Sequence, residues 1–395
     1  MNVLGIIAEY NPLHLGHFQH MQQAKAAAGC SQVVVVLSGN FVQRGEPAIL
    51  DKWLRTRMAL EAGADMVLEL PLYYATASAG SFAYGGVTLL ERTGVVDALC
   101  FGSECGTLPP LAAAAELLSQ ESDGFKTRLR EGLGQGASFP AARAQAMAAG
   151  GMPGLSAPND TLGVEYLRAL RRLGSRITPF TLPRQRFLLN AAKDVRRALL
   201  AGETEAALES APSALRPLVA GALATHGPAT LDNLSDAFQY MLRTVPATQL
   251  GEIWDVAEGL EHRFLAASSH AKLSDVLAAV KTKRYTYTRV QRAALHMLLG
   301  ITHAAFMACE AAGGPQYIRV LGFRRAAAPL LGEMARRATL PVVTNVANHA
   351  LPPGSLAAHM LAEEARATGI YAMAFPQKNG RRRILNEYRQ PLVVV

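Results

Sequence analysis

The chain has 395 residues, half of them hydrophobic, with 39 Lys and Arg against 31 Asp and Glu, a formal charge of +8 and a pI near 9.4. That composition excludes disorder over most of the length and predicts a large buried core shared by two or three domains. The positive balance points to an anionic partner and leaves nucleic acid, nucleotide and membrane surface open.

In chain order, the apolar run Val3–Ala8 predicts a first strand, and the amphipathic run from Phe18 to Ala28, closed by Gly29, predicts a helix. Further short apolar runs at Val33–Leu37, Met66–Leu70, Ala98–Phe101 and Ile177–Thr181 alternate with helical patterns at Asp51–Ala62 and Ala77–Leu90. This alternation predicts an α/β fold, a Rossmann-like parallel sheet with helices on both faces. Ligands of such sheets bind at the carboxyl ends of the strands. His14 and His17, Ser38-Gly39-Asn40 and Gly102-Ser103-Glu104 all follow strands, so three strand ends are expected at one crevice.

From Leu108 to Met152 the pattern predicts two or three helices, broken by Gly150-Gly151-Met152-Pro153-Gly154. Asn159-Asp160 then caps a helix over Thr161–Leu173. Helical patterns dominate from about residue 190 to 312, which places a boundary near Phe187–Lys193 and divides residues 1–188 from 189–395. The most membrane-like stretch, Ala293 to Cys309, contains His296 and His303 and is short for a span, so it reads as a buried helix. Apolar segments at Tyr317–Leu321, Leu340–Thr344 and Leu392–Val395 predict a small α/β element at the end. Cys30, Cys100, Cys105 and Cys309 are few and irregularly spaced, as reduced thiols are. With no signal segment at the N-terminus, a soluble cytoplasmic protein is expected.

His14-Leu15-Gly16-His17 carries the strongest chemical signal. A strand that turns into a helix aims free backbone N–H groups and a positive dipole end at an anion. Gly16 removes the side chain that would block a phosphate, and both imidazoles, partly exposed at the strand end, can donate to phosphate oxygens. Fixed donors there stabilise charge that builds at an α-phosphate during adenylyl transfer. Surface or capping histidines are the alternative reading of the same four residues.

Ser38 through Pro47 reads as a substrate loop, with Arg44 or Lys52 near phosphate or carboxylate, or as an ordinary turn. Lys281, Lys283, Arg284, Arg289 and Arg292, interleaved with Tyr285 and Tyr287, provide charge for phosphates and rings for unpaired bases. A solvated helix face carries such runs too. Lys378 with Arg381, Arg382 and Arg383 is a weaker cluster. Arg184, Arg186, Arg196 and Arg197 lie beside the crevice, either on pyrophosphate or in solvent. His226, His262, His270 and His349 show no metal-ligand spacing, and no metal site is expected.

Taken together, Gly5 through His17, Ser38 through Ile49, Gly63 through Pro71, Phe101-Gly102-Ser103-Glu104, Pro158-Asn159, Leu162 through Tyr166, Lys281 through Arg292 and Tyr317 to Gly322 resemble the tRNA(Met) cytidine acetate ligase family. The resemblance implies a nucleotidyltransferase-like ATP-binding domain over 1–188 and a mainly helical tRNA-binding domain over 189–395. It implies activation of acetate as acetyl-adenylate and transfer to the wobble cytidine of elongator tRNA(Met), forming N4-acetylcytidine. ATP would bring Mg2+ with it. By the same resemblance Ile7, Ala8, Glu9, Tyr10, Asn11, Pro12, Leu13, His14, Leu15, Gly16, His17, Phe18, Gln19, His20, Gly102, Asn159 and Arg184 bind ATP, with His14 and His17 catalytic. Lys281, Lys283, Arg284, Tyr285, Tyr287, Arg289 and Arg292 would hold tRNA.

One departure stands out: the family's Ser-Ala-Thr-x-Ile-Arg type motif reads Ala191-Ala192-Lys193-Asp194-Val195-Arg196 here. The hydroxyl donors are absent, Lys193 and Arg196 remain, and Asp194 adds negative charge. Two other readings therefore stand beside the ligase. One is a nucleotidyltransferase acting on a small metabolite; the other is a nucleotide-responsive RNA-binding homologue without catalysis.

Overall fold

A computed structural model describes residues 2–150, 157–184, 192–378 and 380–395. Strands form where apolar residues run without interruption. β1 (Val3–Ala8) and β2 (Gln32–Ser38) are followed by the short hairpin strands β3 (Phe41–Val42) and β4 (Glu46–Pro47), then by β5 (Met66–Leu70), β6 (Ala98–Ser103) and β7 (Thr178–Pro183). The four consecutive valines of β2 are buried whichever face they point to, as a parallel sheet covered on both sides requires. β1 lies between β2 and β6, parallel to both, and the chain runs outward through β5 on one side and β7 on the other. Strand order therefore reverses at β1 and β6, which opens a crevice at their carboxyl ends. A Cβ on Gly5 would lie 2.7 Å from Leu90 Cδ1, so this glycine lets the helix Ala79–Arg92 pack close against the central strand.

The end of the chain takes a form that its own pattern does not reveal. β8 (Ile318–Phe323) pairs antiparallel with β5, and β9 (Val342–Val343) and β10 (Val393–Val394) pair with β8. The expected C-terminal α/β element thus continues the first sheet, which has eight strands among the described residues. β8 satisfies the backbone edge that β5 would otherwise expose.

Residues 108–149 form three helices, Leu108–Ser119, Asp123–Gly134 and Phe139–Ala149. The glycines at 151 and 154, Phe187 and Ala191 lie outside the described residues. A separate helical layer has its own core, running from Phe238 through Phe264 and Leu277 to Met297. The stretch Ala293 to Cys309 is two helices rather than one, Tyr287–Leu299 and His303–Ala311, because Gly300 adopts φ +60° and ends the first. His296 is fully buried, its Nδ1 3.2 Å from the Trp254 carbonyl and its Nε2 3.1 Å from Thr76 Oγ1. Among the described residues no helix is long and apolar enough to cross a membrane, and all four cysteines are free thiols.

Candidate active site

A cavity of about 1240 Å3 opens at the carboxyl ends of β1 and β6. Its floor is the segment that follows β1. The first helix, Leu15–Ala27, starts there, and the two histidines form its cap: His14 Nδ1 accepts the Gly16 N–H at 3.0 Å, and His17 Nδ1 accepts the His14 N–H at 3.4 Å. The rings stack with centroids 3.8 Å apart. Because both Nδ1 atoms accept, the ring hydrogens sit on the Nε2 atoms.

Burial, followed by the charge of Arg184, pushes the His14 imidazole down to about 4. Burial, then His14, His20 and Arg184, hold His17 well below the ordinary histidine value. Both are neutral at pH 7 and act as dipolar N–H donors rather than cations. His14 is also more enclosed than a strand end suggests, at 8% exposure, while His17 is half-buried. The capping reading and the donor reading are therefore both present in one geometry.

The loops around this floor are held by a residue that no motif singles out. Arg55, fully buried on the helix Lys52–Glu61, donates to the carbonyls of Leu50 (2.9 Å), Glu9 (2.6 Å), Ser38 (3.0 Å) and Gly39. One guanidinium thus ties the ends of β1 and β2 together and satisfies carbonyls that would otherwise be buried without partners. Asn11 Oδ1 accepts the Ile49 N–H at 2.8 Å, and Arg196 donates to the Asn11 carbonyl at 2.8 Å and meets Glu46 at 3.3 Å. Opposite, Glu104 gathers the end of β6, the helix Pro158–Leu173 and Arg184: it accepts from Asn159 Nδ2 at 2.7 Å and from the Asp160 N–H at 3.1 Å, and meets Arg184 at 3.4 Å.

Of the residues expected on ATP, Ile7, Ala8, Glu9, Tyr10, Asn11, His14, Gly16, His17, Gln19, His20, Gly102, Asn159 and Arg184 line the cavity. Pro12, Leu13, Leu15 and Phe18 do not. Leu13 and Phe18 pack into the core beneath, and the Leu15 N–H bonds the Ser210 carbonyl. Two expectations are corrected, Asn40 at a strand end and Lys52 as a substrate-loop cation. Asn40 is buried, bonding the Lys52 N–H and Thr368 Oγ1, and Lys52 is sealed in a charge cluster with Glu69 and Glu387; neither reaches the crevice. Arg44 does.

The basic segment divides in the same way. Arg289 and Arg292, with Thr286 and Thr288 at the start of the helix Tyr287–Leu299, line the same cavity as the histidines. Lys281, Lys283, Arg284 and Tyr287 are exposed, with Arg284 3.0 Å from Glu258. Tyr285 is corrected as a stacking ring: it is 5% exposed, packed in the helical core, and its hydroxyl donates to Glu258 at 2.9 Å. In the departure from the family motif, Asp194 pairs with Arg197 at 3.1 Å, and Ala192 faces the cavity. Arg186 lies outside the described residues.

Sequence reasoning missed Arg55 and the ion pairs of the cavity wall. Arg143 and Arg168 flank Glu165 at 2.6 and 2.8 Å, and Asp255 meets Arg292 at 3.0 Å. Only three-dimensional proximity identifies them, although Asp255 adopts φ +66°, a strained conformation for a non-glycine residue. Among the described residues no group of three or more His, Cys, Asp or Glu side chains could hold a metal ion.

The HIGH Nucleotidyl Transferase family model matches residues 1–385. A tRNA(Met) cytidine acetate ligase of Caldanaerobacter subterraneus subsp. tengcongensis is 39% identical over 95% of this chain and 96% of its own length. That of Acetivibrio thermocellus is 35% identical over the full length of both. A crystal structure of Thermotoga maritima TmcAL bound with alpha-thio ATP superposes with a TM-score of 0.92 at 33% identity, covering 100% of this chain and 99% of that one.

Proposed function

The chain belongs to the HIGH nucleotidyl transferases and, among them, to the tRNA(Met) cytidine acetate ligases, and on that premise we propose that it joins acetate to a tRNA cytidine at the cost of ATP. Acetate is a poor acyl donor because its leaving group would be oxide. Attack of a carboxylate oxygen on the α-phosphorus of ATP breaks the bond to pyrophosphate and forms a mixed anhydride, acetyl-adenylate, from which AMP is a good leaving group. The exocyclic amine of the wobble cytidine then attacks the acetyl carbonyl, and AMP departs.

The observation that carries this reading is the pair of neutral, Nδ1-capped histidines on the floor of a cavity that the start of a basic helix also lines. Nε2–H donors fixed before reaction lower the barrier without reorganising. Neutral donors also hold released pyrophosphate less tightly than cations would. The volume exceeds that of usual single-ligand pockets. It accommodates ATP together with a nucleotide splayed out of the tRNA, as transfer from an acyl-adenylate demands.

We assign residues 1–188 to ATP and acetate and the helical stretch after 189 mainly to tRNA, with Lys281, Lys283, Arg284 and Tyr287 on its outer surface and Arg289 and Arg292 reaching inward, while β8 to β10 complete the first sheet. Mg2+ would come to this site on the phosphates of ATP, where Mg2+ is ordinarily held by phosphate oxygens and water. It would neutralise phosphate charge there. The reaction belongs in the cytoplasm, where tRNA and ATP meet. The assay is incubation of the purified protein with total tRNA, ATP and labelled acetate: label in N4-acetylcytidine supports the reading, and tRNA left unlabelled rejects it.

A further inference from the structure

The amine of cytosine shares its lone pair with the ring, so its attack on an acyl carbon is productive only if the nitrogen loses a proton as the new bond forms. A carboxylate near the acyl-adenylate is the obvious acceptor, and the cavity has four among its described residues: Glu9, Glu121, Glu165 and Asp255. Arg143 and Arg168 occupy the two oxygens of Glu165, and Arg292 and His296 face Asp255 Oδ2 at 3.0 and 3.7 Å. Glu121 follows the helix Leu108–Ser119 rather than a strand. Glu9 alone of the four is at the carboxyl end of β1, five residues before His14.

Its placement is rigid on one side and open on the other. Arg55 grips its carbonyl at 2.6 Å, and its Oε1 accepts the Gln43 N–H at 2.9 Å. Its Oε2 has no hydrogen-bond partner among the described residues. We propose that Glu9 is the general base of acetyl transfer, taking the N4 proton of the cytidine on Oε2 as the amine attacks the acetyl carbonyl of acetyl-adenylate. The N–C bond forms, the C–O bond to phosphate breaks with its electron pair leaving on AMP, and the carboxyl afterwards releases its proton to water. This role rests on the ligase reading given above.

The groups facing Glu9 suit the task. Burial, and then the charge of Glu46 on β4, raise its carboxyl above the ordinary value, against the Gln43 N–H and the cations Arg196 and Arg44. A raised value makes a stronger base. Tyr166 on the helix Pro158–Leu173 faces it with a hydroxyl that burial and the charge of Glu9 hold protonated, and His14 and His17 across the floor are neutral.

The test separates the two half-reactions. Acetate-dependent pyrophosphate exchange reads adenylation; single-turnover transfer from chemically prepared acetyl-adenylate to tRNA reads the second step. For Glu9→Gln, transfer is expected to fall about 100-fold more than exchange does, the acidic limb of the transfer pH profile is expected to vanish, and Glu9→Asp is expected to recover part of both. Equal losses in the two assays, or a Gln variant that keeps the acidic limb, would overturn the assignment. Because acetyl-adenylate is supplied, transfer reports on Glu9 even if the wild-type protein exchanges no pyrophosphate, a result that would reject the ligase reading instead.

Discussion

At the scale of single residues, His14 combines two jobs that sequence reasoning treats as alternatives. Its Nδ1 caps the first helix while its Nε2 faces the cavity, so protonating Nδ1 removes the acceptor for the Gly16 N–H. In the folded state His14 is held to about 4, against about 6.5 when unfolded. The unfolded chain therefore binds the proton first as pH falls, and stability present above about 6.5 is lost on the way down to about 4. The loss from this residue is about 3 kcal/mol at most. Thermal melting from pH 7 to 4.5 should show a steeper decline for wild type than for His14→Asn, which keeps a capping side chain but cannot titrate. Parallel declines would show that another group is responsible. The HxGH spacing made these residues legible in sequence. Arg55 was illegible because a buried arginine with carbonyl partners looks, in one dimension, like any cation on an amphipathic helix.

At the scale of elements, the segment from Lys281 to Arg292 was legible as basic and aromatic but not as three environments. Tyr285 turns into the helical core, Arg289 and Arg292 turn into the cavity, and Lys283 and Tyr287 remain outside. Which side of a turn faces inward depends on the helices packed against it, and no local pattern encodes those. The division predicts distinct phenotypes. Lys283→Ala should lower the slope of log affinity for tRNA against log salt by about 1. Arg284→Ala should change it less, because Arg284 already pairs with Glu258. Tyr287→Ala should weaken tRNA binding at unchanged melting temperature, whereas Tyr285→Ala should cost about 3 kcal/mol of stability. Filter binding across a salt series, with melting of each variant, checks all four. Equal slopes for Lys283→Ala and wild type would move the RNA surface elsewhere.

At the scale of the whole molecule, the alternation of strands and helices made the first sheet legible, together with the crevice at its reversal of order. The return of the chain end to that sheet was not, because β8 lies about 250 residues from its partner β5, and β9 and β10 are two-residue strands that pair only with β8. A buried charge cluster joins the distant parts: Lys52 lies 2.5 Å from Glu69, 2.9 Å from Glu387 and 3.5 Å from Glu364, and Arg319 on β8 meets Glu69 at 2.9 Å and also binds Glu387. Three carboxylates face two cations. Burial, then the charge of Glu69, pushes Glu364 up to about 8, so it keeps its proton at neutral pH and the cluster balances. Because this folded value is raised above the unfolded one, the stabilisation is lost as pH climbs from about 4.5 through 8. Glu364→Gln should therefore gain melting temperature relative to wild type at pH 8.5 and not at pH 5.5, while Lys52→Met should lose about 3–5 kcal/mol at any of these values. A Gln variant with the same offset at both pH values would contradict the charge balance.

The capped histidine pair is proposed to drive adenylation of acetate. Exchange of labelled pyrophosphate into ATP, measured with and without acetate for wild type and His17→Ala, tests it most directly. Exchange should require acetate and fall about 100- to 1,000-fold in a variant that still melts cooperatively. Exchange that ignores acetate, or that persists at the wild-type rate without His17, would contradict it.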